Sequence, residues 1–460
     1  MLRKESTLAA VLFVFTGLAL PVLFSMEQQQ APAAEQVPFM LRQAFLELRL
    51  DMAVSVSLGG AELDETQEQS PVGAFAFHVD PWLATITTMD PAVSARLLDS
   101  LAPMAAAMGR RTDAAQLLAR AGHTLPDQAP WSCLVSGSAA SVDECMKELP
   151  EGVPPEAAAF ASTWLAEGGQ LLERQDMERV GVLVGPFLGR MAVLAVVGIL
   201  LFIAGLVLLL LAPKLIRRFR AQDFGLEGFR FSAPPLATFM VFLMWFIVML
   251  TVHLVVWAGA EQGGINIEEQ KIPLTVFAYL VYAAGGIALI VMLGRAQVHP
   301  LTRAIDMQMG DITGRALAFG AAGYVVAIPV VLALTHISAM LVGTGPGVNP
   351  VIPELLAARG STELWLLVFN VCVLAPLFEE IFFRGFLFQQ FKRFYSVPNA
   401  AALSALAFAA VHLSIESFIP LFGLGVLMAI SYHLVQSLWA AILLHALWNG
   451  ATVAVVLVLF

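Results

Sequence analysis

The sequence predicts an all-α fold: a polytopic helical integral membrane protein with an added helical hydrophilic domain near its N-terminus. Three observations lead there. The 460-residue chain is 58% apolar and only 13% charged, about half the charged share of an ordinary soluble domain. Apolar runs of roughly 20 residues recur, the length a helix needs to cross a bilayer. These runs are continuous and lack the alternation of a transmembrane barrel, the other structure that satisfies its backbone in lipid. A net charge of -10 and no basic cluster suited to nucleic acid argue against such a partner. The chain also lacks a C-x-x-C, a P-loop, a His-Glu-x-x-His and a dinucleotide fingerprint.

Residues 1–25 open with Arg3 and Lys4 and continue as an apolar run over 8–24. No small-x-small cleavage site closely follows, so a signal anchor or first transmembrane helix is expected, with its N-terminus cytoplasmic. Residues 26–185 carry 22 Asp or Glu against 9 Lys or Arg. Helical periodicity recurs there over 39–54, 92–121 and 157–180, with turn material between, such as Gly59-Gly60 and 126–130. An acidic, mostly helical domain with no catalytic constellation follows from this pattern, a spacer or a substrate-access module. Residues 190–460 form the membrane domain of about eight helices. Its expected spans are 191–212, 236–257, 274–292, 317–340, 364–388, 400–415, 420–434 and 436–459.

Basic residues orient these spans. Lys214, Arg217, Arg218 and Arg220 follow the first one and hold that end in the cytoplasm. Alternation then puts 261–271 outside and Arg295, Arg303, Arg315, Lys392 and Arg393 inside. Residues 26–185 are therefore expected outside the cytoplasm, where Cys133 and Cys145 can form a disulfide.

The last ninety or so residues concentrate the polar chemistry. Glu379, Glu380 and Arg384 interrupt the apolar, aromatic span 364–388, and ionised groups at bilayer depth are costly unless paired or functional. Phe408 and His412 lie four apart on the next span, and His445 and Asn449 four apart on the last. At ~1.5 Å per residue the three clusters fall at overlapping depths. Glu380 and Arg384 share a helical face and can pair, whereas Glu379 is rotated about 100° away. A free buried carboxylate can act as a base on water that His412 shares or orients. His445 and Asn449 can donate to a carbonyl oxygen that becomes negative under attack. Taken alone, these residue types fit hydrolysis of an amide, ion or proton transport, or a polar network joining helices.

The motifs Glu379-Glu380-x-x-x-Arg384, Phe408-x-x-x-His412 and His445-x-x-x-Asn449, in this order on successive helices, resemble those of one family. It is the CPBP (CAAX protease and bacteriocin-processing) family of intramembrane proteases, relatives of the Rce1-type prenyl-protein endopeptidase and also called the Abi family. The resemblance is specific over 355–455 and does not reach 26–185. It implies that Glu379 activates water with help from His412, that His445 and Asn449 form the oxyanion side, and that Glu380, Arg384 and Phe408 support the site. Every motif position carries the expected residue type. The family is often labelled metalloprotease, so a zinc site of Glu379, His412 and His445 is the alternative. Asn449 is a poor zinc ligand, and a metal-independent water with no cofactor is favoured.

The expected function is thus an intramembrane endopeptidase acting on a membrane-associated protein or peptide, at a bacterial cytoplasmic (inner) membrane. Its partners are that substrate and the lipid bilayer, not nucleic acid. A noncatalytic membrane partner or scaffold, or a polytopic transporter, is the alternative; a transporter should show a matching polar half, which is not visible here. Glu416 is expected to rim the site or sit in an aqueous loop, and His433 to be interfacial. His253, His336 and Trp448 read as packing or hydrogen-bonded residues, and Cys372 as a small buried hydrophobe.

Overall fold

The computed structural model describes residues 7–12, 14, 177–219, 234–295, 312–342, 354, 355, 358 and 362–459. The predicted domain 26–185 lies outside them except for 177–185, as do Cys133 and Cys145. Two compact units divide the chain, one of 1–29 with 195–457 and one of 30–194 with 458–460; the motif residues from Glu379 to Asn449 all belong to the first. Among the described residues there is no β-strand, and seven helices are long and apolar enough to cross a membrane. We number the helices α1 Met177–Phe219, α2 Pro235–Gln262, α3 Ile267–Arg295 and α4 Gly314–Val342. The series continues with α5 Glu363–Phe391, α6 Val397–Ala410, α7 Ile415–Val435 and α8 Leu438–Leu459. At the N-terminus, Ala10 and Leu12 pack against the main core of the first unit.

Each expected span has a helix, but the span 400–415 does not continue as one. Helix α6 stops at Ala410, and His412 sits in the turn beyond it. The break has a local cause. Ser414 caps α7, its Oγ accepting from the Ser417 N–H at 3.2 Å, so the chain must leave helical geometry just before it. The turn also holds Leu413 at φ 54°, a left-handed conformation costly for a branched side chain. At ~1.5 Å per residue α6 is only about 21 Å long, short of a ~30 Å hydrocarbon core. Irregular backbone at such depth is tolerated where it is buried in protein or lines a cavity, and this turn does the latter.

Prolines in these helices create docking points for their neighbours. A proline removes one backbone N–H and frees the carbonyl it would have bonded. Pro420 of α7 frees the Glu416 carbonyl, and Ser338 of α4 donates to that oxygen at 2.7 Å. Pro329 of α4 frees the Val325 carbonyl, and Gly205 of α1 approaches it so closely that a Cβ there would lie 2.3 Å from the oxygen. Only glycine permits that approach. At the other end of α7, Arg315 donates to the Leu434 carbonyl at 3.5 Å. Because Ser338 comes late in α4 and Glu416 early in α7, α4 and α7 run antiparallel.

Helix α5 is the irregular one. Two π-helical stretches, Asn370–Leu374 and Ile381–Phe388, bracket the α-helical Ala375–Glu380 that carries both glutamates. Such stretches are rare and cluster at functional sites. Each takes a hydrogen bond from another helix: Asn449 of α8 donates to the Val371 carbonyl at 2.8 Å, and Ser404 of α6 to the Phe383 carbonyl at 2.8 Å. The first has a proline behind it as well. In the π register the Ala375 N–H reaches the Asn370 carbonyl, so the next bond would run from residue 376 to Val371. Pro376 has no N–H to give, and Asn449 supplies one from α8.

Candidate active site

The adjacent glutamates occupy different surroundings. Glu380 is 0% exposed, as is Arg384 one helical turn later. Arg384 donates through Nη1 to Glu380 Oε1 at 2.7 Å and through Nη2 to the Gly425 carbonyl of α7 at 3.1 Å. Its guanidinium also lies 4.5 Å from the centre of the Phe408 ring, a cation–π contact strengthened by the lack of water. His445 of α8 adds a second contact, its Nδ1 lying 3.0 Å from the same Glu380 Oε1. A carboxylate only accepts, so that nitrogen carries the hydrogen. Gly425 is needed here: a Cβ would come 2.9 Å from that of Ala405 and 3.2 Å from Arg384 Nη2.

Glu379 faces the other way, into a cavity of about 140 Å³. His412, Tyr279, Tyr282, Trp245, Phe378, Phe382, Phe383 and Val411 are among its walls. Its Oε2 is buried and has no protein partner. Glu380 Oε2 shares that condition, but Glu380 does not line the cavity. His412, Tyr279 and Tyr282 lie within electrostatic reach of Glu379. The turn after α6 also sets the tautomer of His412. Its backbone N–H bonds Ala409 at 3.3 Å, leaving the Phe408 carbonyl to the ring Nδ1 at 2.7 Å. Since a carbonyl only accepts, Nδ1 carries the hydrogen, and Nε2 of the neutral ring is left as an acceptor.

Phe408 joins the two environments. Its ring meets His412 at 4.8 Å, His445 at 5.6 Å and Phe383 at 5.4 Å, all edge-on. It is wholly buried and lies between His412 and the ion pair.

Glu379 and His412 therefore meet at one cavity, while Glu380, Arg384 and His445 form a dry cluster behind it. Asn449 is on α8 one turn beyond His445, with an amide hydrogen committed to Val371. Neither His445 nor Asn449 is among the residues that line the cavity. Glu416 is in the first turn of α7, where Ser414 donates to its carboxylate at 3.3 Å. His433, near the end of α7, packs edge-on against Phe388, and Cys372 is a half-buried free thiol beside a smaller core.

Zinc fits poorly. Among the described residues no group of three or more His, Cys, Asp or Glu side chains is arranged to hold a metal ion. Glu379, His412 and His445 do not converge into such a group.

The residues missed by sequence reasoning are Trp245 of α2 and Tyr279 and Tyr282 of α3. The signal available was the placing of two of the chain's five tyrosines three apart on one span, which brings them to one helix face.

Residues 361–451 match the family model described as Type II CAAX prenyl endopeptidase Rce1-like. The matched stretch holds all the motif residues from Glu379 to Asn449. Neither the curated proteins nor the solved structures gave a significant match.

Proposed function

We propose that the chain is an intramembrane endopeptidase that hydrolyses a peptide bond of a membrane-associated protein or peptide through water activated by Glu379. The observation that carries this reading is the cavity shared by Glu379 and His412, with one oxygen of the Glu379 carboxylate buried and unpartnered. A water held between the Glu379 carboxylate and His412 Nε2 loses a proton to Glu379 as its oxygen bonds to the scissile carbonyl carbon. The carbonyl oxygen becomes negative. When the C–N bond breaks, the proton on Glu379 passes to the leaving amine.

His445 and Asn449 form the oxyanion side in this reading. Asn449 keeps a second amide hydrogen beyond the one given to Val371. His445 carries a hydrogen on Nδ1, toward Glu380, so the Asn449 amide is the ready donor. Glu380, Arg384 and Phe408 hold the arrangement.

Purified protein incubated with a library of membrane-proximal peptides, with cuts identified by mass spectrometry, tests the reading. Cleavage that survives strong chelation and vanishes in Glu379→Gln supports it. If no peptide is cut, a noncatalytic partner role takes its place. Loss on chelation with recovery at stoichiometric zinc would instead make Glu379, His412 and His445 ligands.

The same reading sets residues 26–185 outside the cytoplasm of a bacterial cell, where they influence substrate choice more than hydrolysis. The basic residues Lys214, Arg217, Arg218 and Arg220 support it. A thiol introduced near Ser70, without Cys133 and Cys145, should react with a membrane-impermeant reagent in intact spheroplasts. Reaction only after lysis reverses the topology.

A further inference from the structure

Arg384 fixes Glu380, and a different residue must fix Glu379. Helix α3 supplies it. Tyr279 is 7% exposed and lines the same cavity. Its hydroxyl donates to the Ala375 carbonyl at 3.4 Å, one turn before Glu379 on the same helix, a long bond beside the Glu379 carboxylate that lines the same cavity. Its ring is held edge-on at 4.9 Å by Tyr282, so the hydroxyl is delivered by a packed pair. Both nearby oxygens only accept, and the phenol is the donor.

We infer that Tyr279 is the positioning residue for Glu379: its O–H, shared between the Ala375 carbonyl and the carboxylate beside it, anchors that carboxylate from α3. The inference rests on the hydrolytic role proposed for Glu379. Unlike the motif residues, Tyr279 comes from a helix outside the matched stretch 361–451, which makes α3 part of the site. The role is geometric. An unanchored carboxylate samples rotamers, and misplacement of about 1 Å at a reacting group can cost ~10²-fold in rate.

Tyr279→Phe removes only the hydroxyl and keeps the ring. It should lower kcat by about 30–100-fold, leave KM within about twofold and lower thermal unfolding in detergent only slightly, by the one bond lost to Ala375. In a Glu379→Asp background, where the shorter carboxylate has withdrawn, the same change should cost little, as non-additivity of contacting groups requires. Infrared difference spectra between wild type and Glu379→Gln isolate the Glu379 carboxyl band, and Tyr279→Phe should move that band whether or not a substrate is known. Unchanged kcat with an unmoved band overturns the inference, as does a fall in kcat that only follows loss of folded protein. A wild type that cuts, a dead Glu379→Gln and a fully active Tyr279→Phe would remove this inference alone. A fully active Glu379→Gln would instead remove the hydrolytic reading.

Discussion

Glu379 and Glu380 are adjacent in sequence and opposite in circumstance. Glu380 is locked between Arg384 and His445 in a fully buried region walled by Phe383 and Phe408. Glu379, rotated by one residue, opens into a cavity with an oxygen unpartnered. A buried ion pair of this kind holds helices in register, because breaking it strands a charge. A half-buried carboxylate outside that ion pair has no such structural return and is better explained by work on water. One helix step thus divides structural from chemical use of the same side chain.

The sharpest way to break this comparison is to exchange its members' fates. Glu379→Gln keeps the size and removes the base, so cleavage should fall by about 10³-fold or more with the folded yield unchanged. His412→Ala should lose about 10²-fold, also without loss of fold. Normal turnover by well-folded Glu379→Gln would end the assignment. The next largest effect is on stability. Glu380→Ala or Arg384→Ala leaves an uncompensated buried charge, expected to cost about 3–5 kcal/mol and read as lost folded protein in detergent size exclusion. Gly425→Ala tightens the same dry region by pressing on Ala405 and Arg384, and should cost about 1–3 kcal/mol. If Gly425→Ala proved neutral in thermal unfolding, the dry cluster would be looser than its packing implies.

The helices and the Glu380–Arg384 pair were legible in the sequence because they depend on local spacing and apolar length alone. The turn at His412 was less so. No glycine or proline announces it, and its cause is the cap at Ser414, whose Ser-x-x-Ser pattern is a weak signal inside an apolar run. The partners of His445 and Asn449 were not legible either. Their i,i+4 spacing puts both on one face, but which carbonyl or carboxylate they meet depends on how α8 packs against α5. Tyr279 escaped for a related reason: nothing in a span so rich in apolar residues marks the tyrosine that meets a glutamate about a hundred positions away.

The smallest effect tests what Asn449 does. Its Nδ2 stands in for the N–H that Pro376 lacks, reaching the Val371 carbonyl at 2.8 Å, while the proposed mechanism asks its second hydrogen to meet the oxyanion. The two jobs separate by substitution. Asn449→Ala should lower stability by only about 1 kcal/mol, typical of an interhelical hydrogen bond in a membrane. Pro376→Ala restores a backbone N–H where the π register would direct it at Val371, so the double variant should regain part of the lost stability. Activity should not follow, because a lost oxyanion donor costs about 10²–10³-fold in kcat and no backbone N–H of α5 replaces it. Thermal unfolding and kcat measured on the same four proteins decide the matter. Recovery of both together would make Asn449 a helix plug and remove it from the oxyanion side; recovery of stability alone would leave it with both jobs.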